Sequence, residues 1–201
     1  GAQLGYALLG YGRKDIADAV QEQLSNLGAT HLWFGWSNTK TIECAQKLAE
    51  VTPKGLDHFH FTSGGSESVD SAIKMARLYW SLQGMNKWKV ISFYGAYHGF
   101  GGATWATSVG RGNVWQGIGP PTPGFIFAPP YYCYRCMFGL KYPDCNMQCA
   151  RYLAEVIEGE GQHSVAAFMA EPVMGAGGMI VPPPEYWPMV RDICTKYDVL
   201  L

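Results

Sequence analysis

The sequence contains few charged residues. Only 15% of its 201 residues are Asp, Glu, Lys or Arg, and the formal net charge is −1. No basic stripe is present, so a nucleic-acid partner is not expected. No apolar run approaches the roughly 18 residues of a membrane span, so no membrane association is expected. We therefore expect a soluble, cytoplasmic protein.

The composition is instead rich in apolar residues, which reach 48%. A chain of this length and composition can bury a sizeable core. Apolar runs at residues 89–94, 125–127 and 165–169 alternate with stretches of helical spacing. This alternation predicts an α/β fold with a mostly parallel sheet.

A glycine turn at residues 63–68 is the most informative local pattern. Residues 57–62 alternate polar and aromatic side chains, which predicts a half-buried strand, and residues 66–84 show helical spacing. Gly64 and Gly65 would then join the strand to the amino-terminal end of a helix, where backbone N–H groups can bind a phosphate. The alternative is a capped turn that binds no ligand, and on this run alone the two interpretations are nearly equal.

Functional-looking residues follow three of the predicted strands. They are Gly64-Gly65-Ser66, Tyr97-His98-Gly99 and Glu171. Taken singly, each has a structural interpretation as a turn, a packed side chain or a hydrogen-bonded histidine. Ligands of parallel sheets bind beyond the carboxyl ends of the strands. The joint occurrence of these three groups of residues therefore predicts one pocket with a phosphate-binding site, an aromatic ring and a carboxylate.

These segments also resemble a known family. Residues 63–70 (SGGSESVD), 97–99 (YHG) and 171–178 (EPVMGAGG) are similar to the class III (omega) aminotransferases, which are pyridoxal-phosphate enzymes of fold type I. The resemblance covers nearly the whole chain and is greatest to the omega-amino acid:pyruvate group, which includes taurine- and β-alanine-type transaminases. It implies a homodimer with a three-layer αβα large domain. Residues 1–45 would form an N-terminal segment and the start of this domain. Residues 46–201 would form its pyridoxal-phosphate-binding part, which is incomplete in this chain.

The resemblance implies which residues hold pyridoxal 5'-phosphate. They are Gly65, Ser66, Tyr97, His98, Gly99 and Glu171. By position, the glycine and serine would bind the phosphate, and the tyrosine would stack on the pyridine ring. The histidine and second glycine would shape the turn, and the glutamate would lie beneath the cofactor as a polar organiser.

The lysine and aspartate that this family needs for catalysis are not matched in the chain. By resemblance, both should follow Leu201, and neither Lys74 nor Lys141 stands in a matching context. We therefore expect a fragment truncated before the Schiff-base lysine, with no catalytic residue of its own. The parent protein would transfer an amino group from an amine donor to pyruvate.

The prediction of substrate preference depends on fewer residues than the family resemblance does, so alternative class III reactions stay open. Tyr6, Trp33 and Phe34 either line the substrate side of the pocket or pack within the protein. Ala176 stands where glutamate-accepting relatives often have a glutamate, which argues against an ornithine- or GABA-type enzyme. Another class III pyridoxal-phosphate enzyme, such as an aminomutase, decarboxylase or phospho-lyase, is an alternative.

Four cysteines are close together in the sequence. Cys133, Cys136, Cys145 and Cys149 have spacings that only partly match a zinc or iron–sulfur site. We favour unligated or redox-responsive thiols over a bound metal, and do not expect stable disulfides in a reducing cytoplasm. A non-catalytic metal or thiol module on this scaffold is therefore a further alternative.

Overall fold

The computed structural model describes residue 5 and residues 7–32, 34–108 and 122–201. The chain divides into two compact units, Gly1–His60 and Phe61–Leu201. All six predicted cofactor residues belong to the second unit. The domain division at residues 45 and 46 concerns the whole protein and stays a prediction.

The first unit contains two helices, α1 at Lys14–Leu27 and α2 at Thr39–Val51. Helix α2 begins after Asn38, whose side-chain oxygen accepts a hydrogen bond of 2.8 Å from the Thr41 backbone N–H. An asparagine in this position satisfies one of the free N–H groups of the first helical turn. Neither helix contains a buried residue.

The second unit contains three strands and four helices among its described residues. In chain order they are α3 (Gly65–Leu82), β1 (Lys89–Phe93), α4 (Thr104–Thr107), β2 (Phe125–Ala128), α5 (Gln148–Glu160), β3 (Val165–Phe168) and α6 (Tyr186–Lys196). A short 3₁₀ helix at Cys133–Arg135 lies between β2 and α5. None of the helices in the described part of the chain has the length and apolar character that a membrane crossing requires.

The three strands form one parallel sheet in the order β2-β1-β3. The central strand β1 is buried over four of its five residues, as expected for a parallel strand that is covered on both faces. Next to β3, Leu200 forms a parallel bridge with Ala167. This topology confirms the predicted α/β fold.

Aromatic side chains fill the core beside the sheet. The rings of Phe93, Tyr131, Phe168 and Tyr186 are all buried, and the centroid of Phe93 lies 5.3 Å from that of Tyr131 and 5.1 Å from that of Phe168. The contacts are edge-to-face, which is a favourable arrangement for aromatic quadrupoles. This core fixes the ends of β1 and β3, and the candidate site follows these ends.

The strand predicted at residues 57–62 is wrong. These residues form no strand, and all of them are at least partly exposed. The alternation of histidine and phenylalanine describes only the polarity of the side chains. A strand also requires a neighbouring strand for its backbone N–H and C=O groups, and the three-stranded sheet does not include this segment.

Candidate functional site

The amino-terminal end of α3 forms an open cradle of backbone N–H groups. Gly64 precedes the helix, and the first helical hydrogen bond runs from the Ser68 N–H to the Gly64 carbonyl at 3.0 Å. The N–H groups of the first turn therefore have no acceptor within the helix. A Cβ atom added at Gly64 or Gly65 would have no heavy atom within 4 Å, so the space in front of the cradle is open.

Side chains of residues 62–67 fix the turn that precedes α3. The Glu67 carboxylate accepts a hydrogen bond of 2.9 Å from the Ser63 N–H. The Thr62 hydroxyl donates to the Gly64 carbonyl at 3.0 Å. These bonds hold the chain that enters α3, and they leave the cradle ready for an anion, which the helix dipole favours at this end.

Ser66 joins the cradle to the loop that follows β1. Its hydroxyl oxygen accepts a hydrogen bond of 3.2 Å from the Phe100 N–H. Gly99, with φ of +127°, lies so close that a Cβ atom there would be 2.4 Å from the Ser66 Oγ. Two of the predicted segments, which are 30 residues apart in sequence, are therefore in direct contact.

Glu171 joins the same loop to the segment after β3. One carboxylate oxygen accepts a hydrogen bond of 3.0 Å from the Tyr97 N–H, and the other accepts one of 2.8 Å from the Gly175 N–H. The Tyr97 side chain is 48% exposed. Its backbone is thus fixed while the ring remains accessible, as an aromatic residue that stacks on a ligand requires.

His98 lies behind this loop. Its Nε2 atom is 3.1 Å from the Ser92 hydroxyl, and its N–H donates to the Ser108 hydroxyl at 2.7 Å. Burial lowers the pKa of the imidazole, and the nearby Glu171 opposes this shift. The neutral imidazole is therefore favoured, and these hydrogen bonds hold His98 within the loop.

Sequence reasoning did not identify several residues that support the site. The Ser108 hydroxyl lies 2.9 Å from the carbonyl oxygens of both Gly99 and Thr104, which share its single hydrogen. Asp70 accepts one of 2.9 Å from the Thr104 N–H, and Tyr131 donates one of 2.6 Å to the Glu171 carbonyl. Asp70 lies in the quoted motif at residues 63–70, but its partner is 34 residues away and no local pattern indicates this pairing.

The predicted substrate residues all belong to the first unit. Tyr6 and Trp33 lie outside the described residues. Phe34 is 92% exposed and has φ of +55°. Their role in a substrate pocket stays a prediction.

The six cysteines are all free thiols. Among the residues that the structure describes, no group of three or more His, Cys, Asp or Glu side chains is arranged to hold a metal ion. The geometry thus gives no support to a metal site at Cys133, Cys136, Cys145 and Cys149.

The arrangement can bind a flat molecule with an anionic group. The α3 cradle and the Ser66 hydroxyl supply donors for the anion, and the accessible ring of Tyr97 supplies an aromatic face on the adjoining loop. Glu171 holds this loop to the segment that follows β3. The chemistry of these donors and the open space in front of Gly64 and Gly65 fit the phosphate group of a cofactor.

Comparison with known proteins identifies a family. The model of the family "Aminotransferase class-III" matches residues 1–201. The chain is 36% identical over 194 residues to a putrescine–pyruvate aminotransferase of Pseudomonas aeruginosa, and the match covers 96% of this chain and 42% of that protein. It is 37% identical over 195 residues to a hypotaurine/taurine–pyruvate aminotransferase of Paracoccus denitrificans, covering 96% of this chain and 41% of that protein.

Solved structures show the same fold. An (S)-enantioselective omega-transaminase from Thermomicrobium roseum matches with a TM-score of 0.90 and 43% identity, over 96% of this chain and 43% of that chain. The omega-transaminase from Pseudomonas jessenii in complex with PMP matches with a TM-score of 0.91 and 35% identity, over 98% of this chain and 44% of that chain. The chain therefore spans less than half the length of the relatives that it matches.

Proposed function

Because the chain belongs to the class III aminotransferases, we propose that the whole protein transfers an amino group from an omega-amino acid or amine to pyruvate, with pyridoxal 5'-phosphate as cofactor. The chain has the pyridoxal-phosphate fold type I of its structural relatives. The observation that carries the proposal is the direct contact between the α3 cradle and the Tyr97 loop through Ser66.

The residues of this chain would bind and orient the cofactor. Gly65 and the first-turn N–H groups would hold the phosphate, and Ser66 has a hydroxyl hydrogen to donate because its oxygen accepts from Phe100. Tyr97 would cover the ring, on a backbone fixed by Glu171. When bound, the cofactor supplies an electron sink for the carbon that loses a proton during amino transfer.

Proton transfer is not assigned to any residue of this chain. Lys74 lies on the exposed surface of α3 and Lys141 on an exposed part of the cysteine-containing segment, and neither matches the family's Schiff-base lysine. We propose that this lysine and the aspartate that pairs with the ring nitrogen follow Leu201 in the whole protein. We also propose that the whole protein is a homodimer.

Pyruvate is the proposed amino acceptor because both named curated relatives are pyruvate aminotransferases. Their names include hypotaurine, taurine and putrescine as donors, so the proposed donor class is a terminal amine, with taurine or β-alanine first among the amino acids. Ala176, in place of the glutamate common in glutamate-accepting relatives, argues for the same acceptor. The loop that contains it begins at the Glu171–Gly175 hydrogen bond.

The test uses the full-length protein with added pyridoxal phosphate. Alanine formation from pyruvate is measured with taurine, β-alanine and putrescine as donors, and parallel reactions contain 2-oxoglutarate as acceptor. We expect pyruvate-dependent alanine formation with at least one donor and a lower rate with 2-oxoglutarate. No alanine from any donor, or a clear preference for 2-oxoglutarate, would contradict the proposal.

A further inference from the structure

Four thiols line one small cavity between the 3₁₀ helix and the start of α5. The cavity has a volume of about 20 Å³ and is lined by Cys133, Cys136, Cys145 and Cys149. Cys133 is exposed, and the other three are partly buried. The proposed amino transfer does not use any of these side chains.

The backbone at Cys133 and Cys136 suits a disulfide. The 3₁₀ helix spans Cys133–Arg135, and Cys136 follows it directly. Side chains three residues apart in such a helix eclipse one another, and a rise of about 2.0 Å per residue separates their Cα atoms by about 6 Å. This distance is within the range of about 4.4–6.8 Å that disulfide-bonded cysteines show.

The same thiols are not arranged as metal ligands. In the described part of the chain, no three His, Cys, Asp or Glu side chains form a group that could hold a metal ion. Burial raises the pKa of Cys133, and the neighbouring thiols Cys145 and Cys136 raise it further. Burial also raises the pKa of Cys149 to about 11. Cys133 and Cys149 are therefore protonated thiols at neutral pH, and the 3₁₀ turn places Cys133 next to Cys136.

We propose that Cys133 and Cys136 form a reversible disulfide when the protein meets a small-molecule disulfide, so that this turn is a site of thiol modification. The Cys133 thiolate attacks one sulfur of the oxidant and expels one thiolate. The Cys136 thiolate then attacks the Cys133 sulfur of the mixed disulfide and expels the second. Two protein thiols are oxidised, the oxidant is reduced to two thiols, and the two protein protons end on these products.

The site is linked to the candidate cofactor site through the chain. Tyr131, two residues before Cys133, is fully buried and donates a hydrogen bond to the Glu171 carbonyl. On the other side of the turn, Tyr142 donates a hydrogen bond to the carboxylate of Glu185, next to α6. The disulfide would therefore constrain a turn that is hydrogen-bonded to Glu171 on one side and to Glu185 on the other.

The experiment treats the reduced full-length protein with oxidised glutathione, and free thiols and peptide masses are then measured. We expect the loss of two thiols and of the mass of two hydrogen atoms from the peptide that contains Cys133 and Cys136. Dithiothreitol should reverse both changes. Since the raised thiol pKa keeps the thiolate fraction low, the rate should rise roughly tenfold per pH unit between about pH 7 and 8.

Variants separate this pair from the other thiols. Cys136→Ser should stop the reaction at a mixed disulfide between Cys133 and glutathione. Cys44→Ser, which removes a thiol outside the cluster, should react like the wild type. These readouts do not depend on catalytic activity, so they are independent of the proposed function. Unchanged thiols, a disulfide from Cys133 to Cys145, or stoichiometric zinc in the purified reduced protein would overturn the proposal.

Discussion

Gly99 stands at the closest approach between α3 and the loop that follows β1. An alanine there would place its Cβ 2.4 Å from the Ser66 Oγ, on a backbone with φ of +127°. Gly99→Ala should therefore separate the loop from the helix. We expect the affinity of the full-length protein for pyridoxal phosphate to fall roughly tenfold or more. We also expect its free energy of unfolding to fall by about 3 kcal/mol. Cofactor titration by absorbance and urea unfolding measure the two effects.

Gly139→Ala is the matched control for backbone strain alone. Gly139 also has a positive φ, of +68°, but a Cβ atom there would have no heavy atom within 4 Å. We expect a stability loss of about 1 kcal/mol and unchanged cofactor affinity. Equal affinity losses in the two variants would show that the contact between Gly99 and Ser66 does not form the site.

Two buried tyrosines should respond differently to loss of the hydroxyl group. Tyr131 donates a hydrogen bond to the Glu171 carbonyl, whereas the Tyr186 hydroxyl is buried without a hydrogen-bond partner in the described structure. Their ring centroids are only 4.8 Å apart. We expect Tyr131→Phe to lower the free energy of unfolding by about 1–2 kcal/mol. Tyr186→Phe should leave it unchanged or raise it by up to about 1 kcal/mol.

Thermal unfolding of the two full-length variants checks this prediction, and each variant is the control for the other. Both changes remove one oxygen from the same aromatic cluster, so a difference between them reports the hydrogen bond rather than the packing. Equal changes in stability would contradict it.

At the scale of residues, the sequence predicted candidate site residues but not their hydrogen-bond partners. Gly65, Ser66, Tyr97, Gly99 and Glu171 were proposed from turn residues after predicted strands and from the family resemblance, and their role in cofactor binding stays a prediction. The hydrogen bonds of Ser108 and Asp70 join residues far apart in the chain, and no periodicity encodes such pairs.

At the scale of elements, buried strands and long helices were predictable. The three strands and helix α3 lie within about two residues of their predicted positions, because apolar runs and 3.6-residue spacing are strong signals. Helix α4 and the 3₁₀ helix were missed, since each has only three or four residues. The strand at residues 57–62 was wrong because alternation does not reveal whether a neighbouring strand exists.

The carboxyl end of α6 depends on a buried lysine from outside the helix. Lys87 is 6% exposed, and its ammonium group donates hydrogen bonds to the carbonyls of Tyr197 and Asp198. It also lies 4.3 Å from the ring centroid of Trp80, a distance that permits a cation–π interaction. Burial lowers the pKa of this lysine, and Asp198 opposes the shift.

Lys87→Met keeps the apolar stem and removes the charge and the donors. The two carbonyls then lose their partner, so we expect stability to fall by about 1–3 kcal/mol and amide hydrogen exchange to accelerate at residues 199 and 200. Lys74→Met, on the exposed surface of α3, is the control and should change stability by less than about 0.5 kcal/mol. Unchanged exchange in Lys87→Met would show that α6 ends stably without this lysine.

At the scale of the whole molecule, the second unit has a large apolar groove beside β3. Its volume is about 760 Å³, and its lining includes Ile73, Tyr79, Phe168, Trp187 and Leu200. An apolar groove of this size on a surface promotes association with other molecules. The chain covers only 42% and 41% of the two named curated relatives, and we predict that a part of the full-length protein outside residues 1–201 covers the groove.

A polypeptide of residues 1–201 should therefore bind the dye ANS more strongly than an equal molar amount of full-length protein. It should also self-associate with concentration in size-exclusion chromatography. Met75→Lys places a charge in the groove lining, at a side chain that is 49% exposed, and should reduce dye binding by the polypeptide. Leu82→Lys, at a 77% exposed position of α3 outside this lining, is the matched control and should have little effect. Equal dye binding by the polypeptide and the full-length protein would mean that the groove stays open, and it would then be a surface of the whole enzyme.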